Sequence, residues 1–453
     1  MSPDTARPGR RATAPGAAAD RDFRRFWWAN TADALGTQTS GLALPLLLLA
    51  LGTPPAVVGT VAGVSAGCGI LAGPFAAVLA DHGARKRVLV CAALVSAGAM
   101  TWVAAGALAG DPPLWQLCAA VVVERTATSC QEAASAGTVA ALVPPDRYPR
   151  AVSMLQAGEQ AGLVVGPALG GALFQLGRWL PFLADALSYL ASALCVAAMR
   201  ADLRPRRGGP AESGSGSPTG SGSGSDSGSD SGSGSGSGSA TVSGAGLAAA
   251  GRSFLRELGA GAGFVRREPF LRFVVLWSTA MSLLLAALSY GTIFTLRDSG
   301  AGGAPVGAVL AVAGATGLAG ALLAPRLARA LPGARLVITV SWLMVAPTLG
   351  LALTTQVWAY ALLFGAISLL LPAAAVVLQA RALEVTPQQL QSRTGTVLAT
   401  ATGLAAAAGP LAAGGLAGTG STGRTALCCC AALVLLSLWS TARAPVVLRK
   451  EAP

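Results

Sequence analysis

Charge is what this sequence has least of. Asp, Glu, Lys and Arg make up 11% of its 453 residues, where an ordinary soluble domain carries about 25%. That is too little charge to cover a water-facing surface, which excludes a large soluble enzyme or binding domain. Histidine occurs once, at His82, so no histidine-built metal centre is expected. With no GxxxxGK[ST] loop either, an ATP-driven pump within this chain is disfavoured. No cofactor site, metal site or catalytic residue is expected. The opening stretch MSPDTARPGRRATAPGAAAD has no apolar core, so no cleaved signal peptide is expected. The eight cysteines all fall in apolar runs without metal or disulfide spacing, and read as small packing residues.

What is present is apolar length. Hydrophobic residues make up 53% of the chain and mean hydropathy is +0.59. A bilayer-crossing helix needs about 20 such residues, and the chain divides into twelve spans of that order. The first six are Phe26–Leu51, Ala56–Ala80, Val88–Ala109, Leu114–Leu142, Tyr148–Leu176 and Leu180–Met199. The second six are Phe270–Leu296, Val306–Ala328, Leu336–Thr354, Val357–Ala380, Leu390–Gly418 and Thr425–Thr441. The fold class expected is an all-α membrane protein of twelve transmembrane helices in two parallel six-helix halves.

The expected boundaries are a disordered N-terminus over 1–25, a first half over 26–199, a linker over 200–250, an amphipathic helix over 251–268, a second half over 269–442 and a tail over 443–453. The linker holds GSGSPTGSGSGSDSGSDSGSGSGSGS, a coil that at roughly 40 residues reaches on the order of 35 Å. In the following segment Leu255, Leu258, Phe264 and Val265 alternate with Arg252, Arg256, Arg266 and Arg267. That pattern suits a helix lying on the membrane surface or, equally, a solvated linker helix.

Net charge is +12, carried almost entirely by arginine because only Lys86 and Lys450 are lysines. The cations cluster at alternate loops: Arg21, Arg24 and Arg25; Arg85, Lys86 and Arg87; Arg147 and Arg150; Arg326, Arg329 and Arg335; Arg381 and Arg393. The other loops hold only Arg178, Arg297 and Arg424. This asymmetry places both termini and the linker in the cytoplasm of a multi-pass cell-membrane protein. It also argues against nucleic-acid binding, because the charge follows topology rather than forming one patch.

The two halves share a signature. VPPDRYPRAVS precedes the stretch GLVVGPALGG, and VTPQQLQSRTG precedes AAAAGPLAAGGLAG. Each Gly-Pro pair follows at nearly the same distance, 166 − 143 = 23 and 409 − 385 = 24 residues. The fifth span therefore corresponds to the eleventh, and parallel repeats of this kind place a substrate site at mid-membrane between them. Gly162, Gly166 and Gly170 recur at i, i+4 and i+8, so they share one face that lets a neighbouring backbone approach. Pro167 removes a backbone hydrogen bond and kinks the helix.

Two motifs carry a resemblance to the major facilitator superfamily over essentially the whole chain. The loop between the second and third spans, AVLADHGARKRVLV, is similar to the family's Gly-x-x-x-Asp-Arg-x-Gly-Arg-Arg signature at Asp81, Gly83, Arg85, Lys86 and Arg87. It departs at Ala77 and His82, where the family prefers Gly and Arg. GLVVGPALGG resembles the exporter motif Gly-x-x-x-Gly-Pro-x-x-Gly-Gly at Gly162, Gly166, Pro167, Gly170 and Gly171, with Gly409, Pro410, Gly414 and Gly415 as its second-half counterpart. With FLADALSYLASAL in the sixth span, the chain looks most like the drug, macrolide and siderophore exporters. The resemblance implies that the first motif latches the two halves together and that the second seals or hinges the contact between the fifth and eighth spans.

Ionisable residues inside spans are costly unless paired or functional. Asp33, Glu124, Arg125 and Glu159 are the ones singled out, all in the first half. Arg125 resembles the fourth-span arginine of family exporters. The functional expectation is a monomeric secondary transporter in the bilayer that exports a small, fairly apolar molecule, a drug or antibiotic, in exchange for protons. A specific endogenous metabolite such as a siderophore or self-made antibiotic is the alternative cargo, and a non-transporting receptor is the less favoured class. Glu159, then Asp33, then Glu124 are the expected proton carriers.

Overall fold

The computed structural model describes residues 15–81, 85–201, 244–330, 333–418 and 423–448. Among these the chain is all helix. The first half comprises α1 (Pro15–Ala50), α2 (Pro55–Asp81), α3 (Arg85–Ala109), α4 (Leu114–Leu142), α5 (Tyr148–Leu176) and α6 (Leu180–Ala197), with a single 3-10 turn at Pro145–Arg147 before α5. After α7 (Gly244–Arg267), the second half comprises α8 (Pro269–Asp298), α9 (Gly303–Ala330), α10 (Gly333–Leu343), α11 (Val345–Leu353), α12 (Val357–Val385), α13 (Gln388–Ala417) and α14 (Arg424–Leu448). α10 and α11 are one crossing broken at Met344. Pro347, with no N–H to give the carbonyl one turn back, accounts for the break.

Among the described residues, nine helices are long and apolar enough to cross a membrane on composition alone, the α10–α11 pair counted as one. The three remaining crossings, α1, α4 and α5, are the ones that carry Asp33, Glu124, Arg125 and Glu159. Their lower hydropathy is the mark of helices that face water inside the bundle.

Packing repeats between the halves. In the first, α1 packs on α5 and α6, α2 on α4, and α3 on α4 and α6; in the second, α8 packs on α13 and α14, α9 on α12, and α10 on α14. The halves join along two seams, α5 against α9 and α2 against α13. Close small-residue packing holds such bundles together, since lipid tails are as apolar as the helices themselves. A larger buried group locks the second half: the indole N–H of Trp277, a residue 1% exposed, donates to Ser341 Oγ across α8 and α10 at 3.2 Å.

Three boundaries and one placement depart from the sequence expectation. Residues 15–25, expected to be disordered, continue α1, while 1–14 lie outside the described residues. The buried Asp22 carboxylate explains the order: it accepts backbone N–H groups from Arg200 (3.0 Å) and Ala201 (2.8 Å), while Arg25 donates to the Ala198 carbonyl at 2.6 Å. α7 begins seven residues inside the expected linker, and most of the linker, 202–243, lies outside the described residues. α14 runs past residue 442 to Leu448. Finally, α7 does not float free: Val265 is buried in the core, Phe264 packs against it, and the helix leans on α13 while touching α2, with its arginines outward.

Candidate functional site

The helix ends carrying Arg85–Arg87, Arg147, Arg266 and Arg393 define a basic end of the bundle; the opposite end carries Arg178, Arg297 and Arg424. The two seams close only toward that opposite end. In α5–α9, a Cβ built on Gly171 would run into the Gly303 carbonyl, one on Gly307 would meet the Pro167 carbonyl, and one on Gly314 would lie 2.9 Å from the Leu163 carbonyl. In α2–α13, a Cβ on Gly59 would meet the Pro410 carbonyl and one on Gly414 the Pro55 carbonyl. Gly67 and Gly73, farther toward the basic end of α2, have nothing within 4 Å.

These contacts correct the reading of the exporter motif. Gly162, Gly166 and Gly170 do share a face, but it lies against Ala34, Gln38 and Thr39 of α1 within the same half. The contact with α9 belongs to Leu163, Pro167 and Gly171. The counterpart repeats the division: Gly409 lies against Ala286 and Ala287 of α8 in its own half, while Pro410 and Gly414 face α2 across the seam. Gly415 touches nothing within 4 Å. The spacing shows which residues share a face, and helix rotation within the bundle decides what that face meets.

The helix 2–3 signature anchors its own half. Arg85 Nη1 donates to the Gly137 carbonyl of α4 at 3.3 Å, and Lys86 Nζ donates to the Met199 carbonyl beyond α6 at 2.6 Å. Arg87 is exposed. Asp81 ends α2, and His82 and Gly83 lie outside the described residues.

Two cavities open between the helices. One, of about 590 Å³, is walled by α1, α4 and α5 and reaches from Arg125 to Tyr148 and Val152 at the basic end. The other, of about 630 Å³, lies between the halves, with Gln38, Arg125, Gln160 and Pro167 on one wall and Ser289, Tyr290, Phe364 and Ser368 on the other. They meet at Thr37, Gln38 and Arg125, which line both.

Asp33 lines the first cavity, and its Oδ1 is buried without a hydrogen-bond partner among the described residues. Glu159 also lines it but is exposed there, its carboxylate accepting the short-range Gln156 Nε2–H at 3.1 Å. Glu124 is 4% exposed. Its Oε1 accepts hydroxyl protons from Thr128 (3.0 Å) and Tyr189 (2.9 Å), and its Oε2 stands 3.4 Å from Arg125 Nε. The fourth-span ion pair is therefore Glu124 with Arg125.

Two acids passed over in the sequence join the group. Glu132 lines the first cavity two turns after Arg125, hence on the same face of α4. Asp185 of α6 is fully buried, with Ser188 Oγ donating to its Oδ1 at 3.3 Å. The signal was present, since Glu132 and Asp185 each interrupt an apolar run as Asp33 does. Tyr189, one turn after Asp185, gave none. Among the described residues no cluster of His, Cys, Asp and Glu has metal-binding geometry.

The Major Facilitator Superfamily profile matches residues 26–337. No curated protein matches the sequence. Solved structures share the fold at low identity. A bacterial homologue of the human lysosomal transporter Spinster, in an inward-facing and unoccupied conformation, superposes with a TM-score of 0.69 at 13% identity, over 98% of this chain and 100% of the other. The nucleoside transporter NupG gives 0.68 at 10% identity, over 93% and 99%. A bacterial homologue of the iron transporter ferroportin, in an inward-facing state, gives 0.63 at 14%, over 95% and 100%. With its twelve crossings, parallel halves and central cavity, the chain is a multi-pass membrane transporter of a small-molecule substrate, not an enzyme, and belongs to the Major Facilitator Superfamily.

Proposed function

We propose that this transporter is an exporter that exchanges protons for a small amphipathic molecule by alternating access. The observation that carries the reading is the asymmetry of the cavity. The first-half wall sets three carboxylates, Asp33, Glu132 and Glu159, around one guanidinium, Arg125. The second-half wall facing it is apolar and hydroxylic, without a charged residue among those lining the central cavity. Such a cavity favours an apolar body with a neutral or positive charge, as drugs and antibiotics with basic amines have. The same acid excess disfavours the alternative cargo of a metal-free, anionic siderophore. One chain encloses the whole cavity, so a single copy is the transport unit.

Asp33 replaces Glu159 as the leading proton carrier. A carboxylate that already stands in open water exchanges its proton whatever the conformation, and so cannot by itself tie protonation to movement. Asp33 is half-buried on the same cavity wall as Arg125, and its Oδ1 is buried with no partner among the described residues, so approach of substrate or cation changes what it touches. Glu124, held by two hydroxyls and Arg125, is the partner that lets Arg125 stay charged. Asp33→Asn should abolish gradient-driven efflux of a fluorescent lipophilic cation such as ethidium from vesicles while leaving dye binding within about twofold, since the amide keeps size and hydrogen bonding. Efflux that still collapses with the proton gradient as in the parent would move coupling elsewhere.

The basic end is assigned to the cytoplasm, from the arginine distribution. With the eight native cysteines replaced, a cysteine at Ser299 should label from outside intact cells with an impermeant thiol reagent, and one at Arg150 should not. The reverse pattern would invert the direction of transport.

A further inference from the structure

Glu124 reaches neither cavity, yet it is wired to both. It is 4% exposed and forms no part of either cavity wall. Its Oε1 accepts from Tyr189, which is itself fully buried and whose hydroxyl also lies 3.0 Å from Thr37 Oγ1. A tyrosine has one hydroxyl proton. Because that proton points at Glu124, Thr37 must be the donor in the second bond. Thr37 lines both cavities at the place where they meet. The result is a chain of donors running in one direction, from cavity water through Thr37 and Tyr189 to a buried carboxylate.

We propose that Tyr189 passes protons between the cavity wall at Thr37 and the buried Glu124. The proposal rests on the proton-exchange reading above and adds a route to it. In the forward step a hydronium in the cavity gives a proton to Thr37 Oγ1. Thr37 hands its own proton to the Tyr189 oxygen, and Tyr189 hands its own to Glu124 Oε1. One proton has moved, each hydroxyl still carries one, and no electron has changed place. The three hydrogen bonds now run backwards, from neutral Glu124 to Tyr189, from Tyr189 to Thr37 and from Thr37 to the cavity water. Neutral Glu124 no longer balances Arg125, whose guanidinium is then drawn to the remaining acids. The charged and titratable groups that bear on this exchange are Asp33 from α1, Glu132 beside Arg125 on α4, Asp185 from α6, and Tyr290 from α8. Thr128 also donates to Glu124 and lines one cavity, but that bond is a local one, one turn away on α4. Tyr189 is bonded on both sides, and its route opens where substrate and proton share the space.

The test follows Glu124 itself. Rapid infrared difference spectra of the protein in lipid vesicles, after a jump from alkaline to acid pH, report the protonated carboxyl band, assigned by its loss in Glu124→Gln. Tyr189→Phe keeps the ring and removes only the hydroxyl, and should slow the rise of that band at least roughly tenfold, in line with losing one proton-transfer group. Thr37→Val, at the partly exposed cavity end, should do the same, Thr37→Ser should restore the parent rate, and Thr128→Val, which takes a donor from Glu124 but leaves the route intact, should slow it less than Tyr189→Phe does. A parent-like rise in Tyr189→Phe overturns the proposal, as does slowing confined to Thr128→Val. Because no substrate or gradient enters the measurement, a parent that titrates through Tyr189 yet fails to drive efflux with protons sinks the export reading and leaves the route standing. A Glu124 band that never appears in the parent sinks the route alone.

Discussion

Gly171→Leu should abolish transport while the protein still folds and inserts. A Cβ at this position would overlap the Gly303 carbonyl and come within 3.1 Å of Gly307 Cα, both across the seam in α9. Two helices from different halves meet there backbone to backbone. The seam must separate whenever the cavity turns to the other side of the membrane. Overpacking of a close contact costs about 1–3 kcal/mol, and each 1.4 kcal/mol shifts a two-state equilibrium roughly tenfold. The state seen here, closed at the end opposite the arginines, should therefore fall roughly 5- to 150-fold in population relative to its alternative. A cysteine at Gln38, on the wall of both cavities, should in consequence label faster from that end. Gly307→Leu, whose Cβ meets the Pro167 carbonyl, should behave alike.

The contrast with Gly166 makes the assignment testable. A Cβ on Gly166 overlaps Gln38, and it also lies 3.2 Å from the Gln38 carbonyl carbon, within one half. Gly166→Leu should then lower expression and melting temperature, because it wedges α1 from α5 in every state of the cycle. Gly415→Leu, with nothing within 4 Å, should be silent in both assays. If Gly171→Leu transports normally, the seam does not open at this point.

Much of this was legible beforehand, for a physical reason. A bilayer leaves few options: long apolar spans must be helices, and cations mark their ends. The repeat was visible because the Gly-Pro pair recurs at a fixed distance, and the structure shows the two copies making equivalent contacts, Pro167 with Gly307 and Pro410 with Gly59. What could not be read was rotation. The i, i+4, i+8 spacing grouped Gly162, Gly166 and Gly170 correctly but did not say that their neighbour is α1, and the seam residues lie one helical position away. Pairing was hidden likewise. Glu124 and Tyr189 are 65 residues apart, and only the packing of α6 against α1 and α3, with α4 alongside, brings the hydroxyl to the carboxylate. Glu159 ranks first on depth, which can be counted along a helix; whether a residue faces protein or open cavity cannot.

Arg125→Gln should combine the two kinds of damage that the other variants separate. Arg125 lines both cavities and stands against Glu124, with side-chain exposures of 36% and 6%. Removing one partner of a fully buried pair costs about 3–5 kcal/mol, because the other charge is stranded. Here Glu124 keeps its bonds from Thr128 and Tyr189, and the arginine is already one-third in cavity water, so about 1–3 kcal/mol is expected. That should appear as a lower melting temperature in detergent together with background-level efflux. Adding Glu124→Gln removes the stranded charge, and the double variant should regain most of the melting temperature while remaining inactive. The cycle thus measures the pair's coupling directly. Arg125→Lys is the sharper arm for function: it keeps a positive charge but loses the planar Nε–H that faces Glu124, so it should fold and still transport poorly. A double variant no more stable than Arg125→Gln alone would show that the stranded carboxylate is not what destabilises the protein. Parent-like efflux from that double variant would remove Arg125 from the cycle, leaving the three cavity-wall acids, Asp33, Glu132 and Glu159, without the counter-charge they are proposed to share.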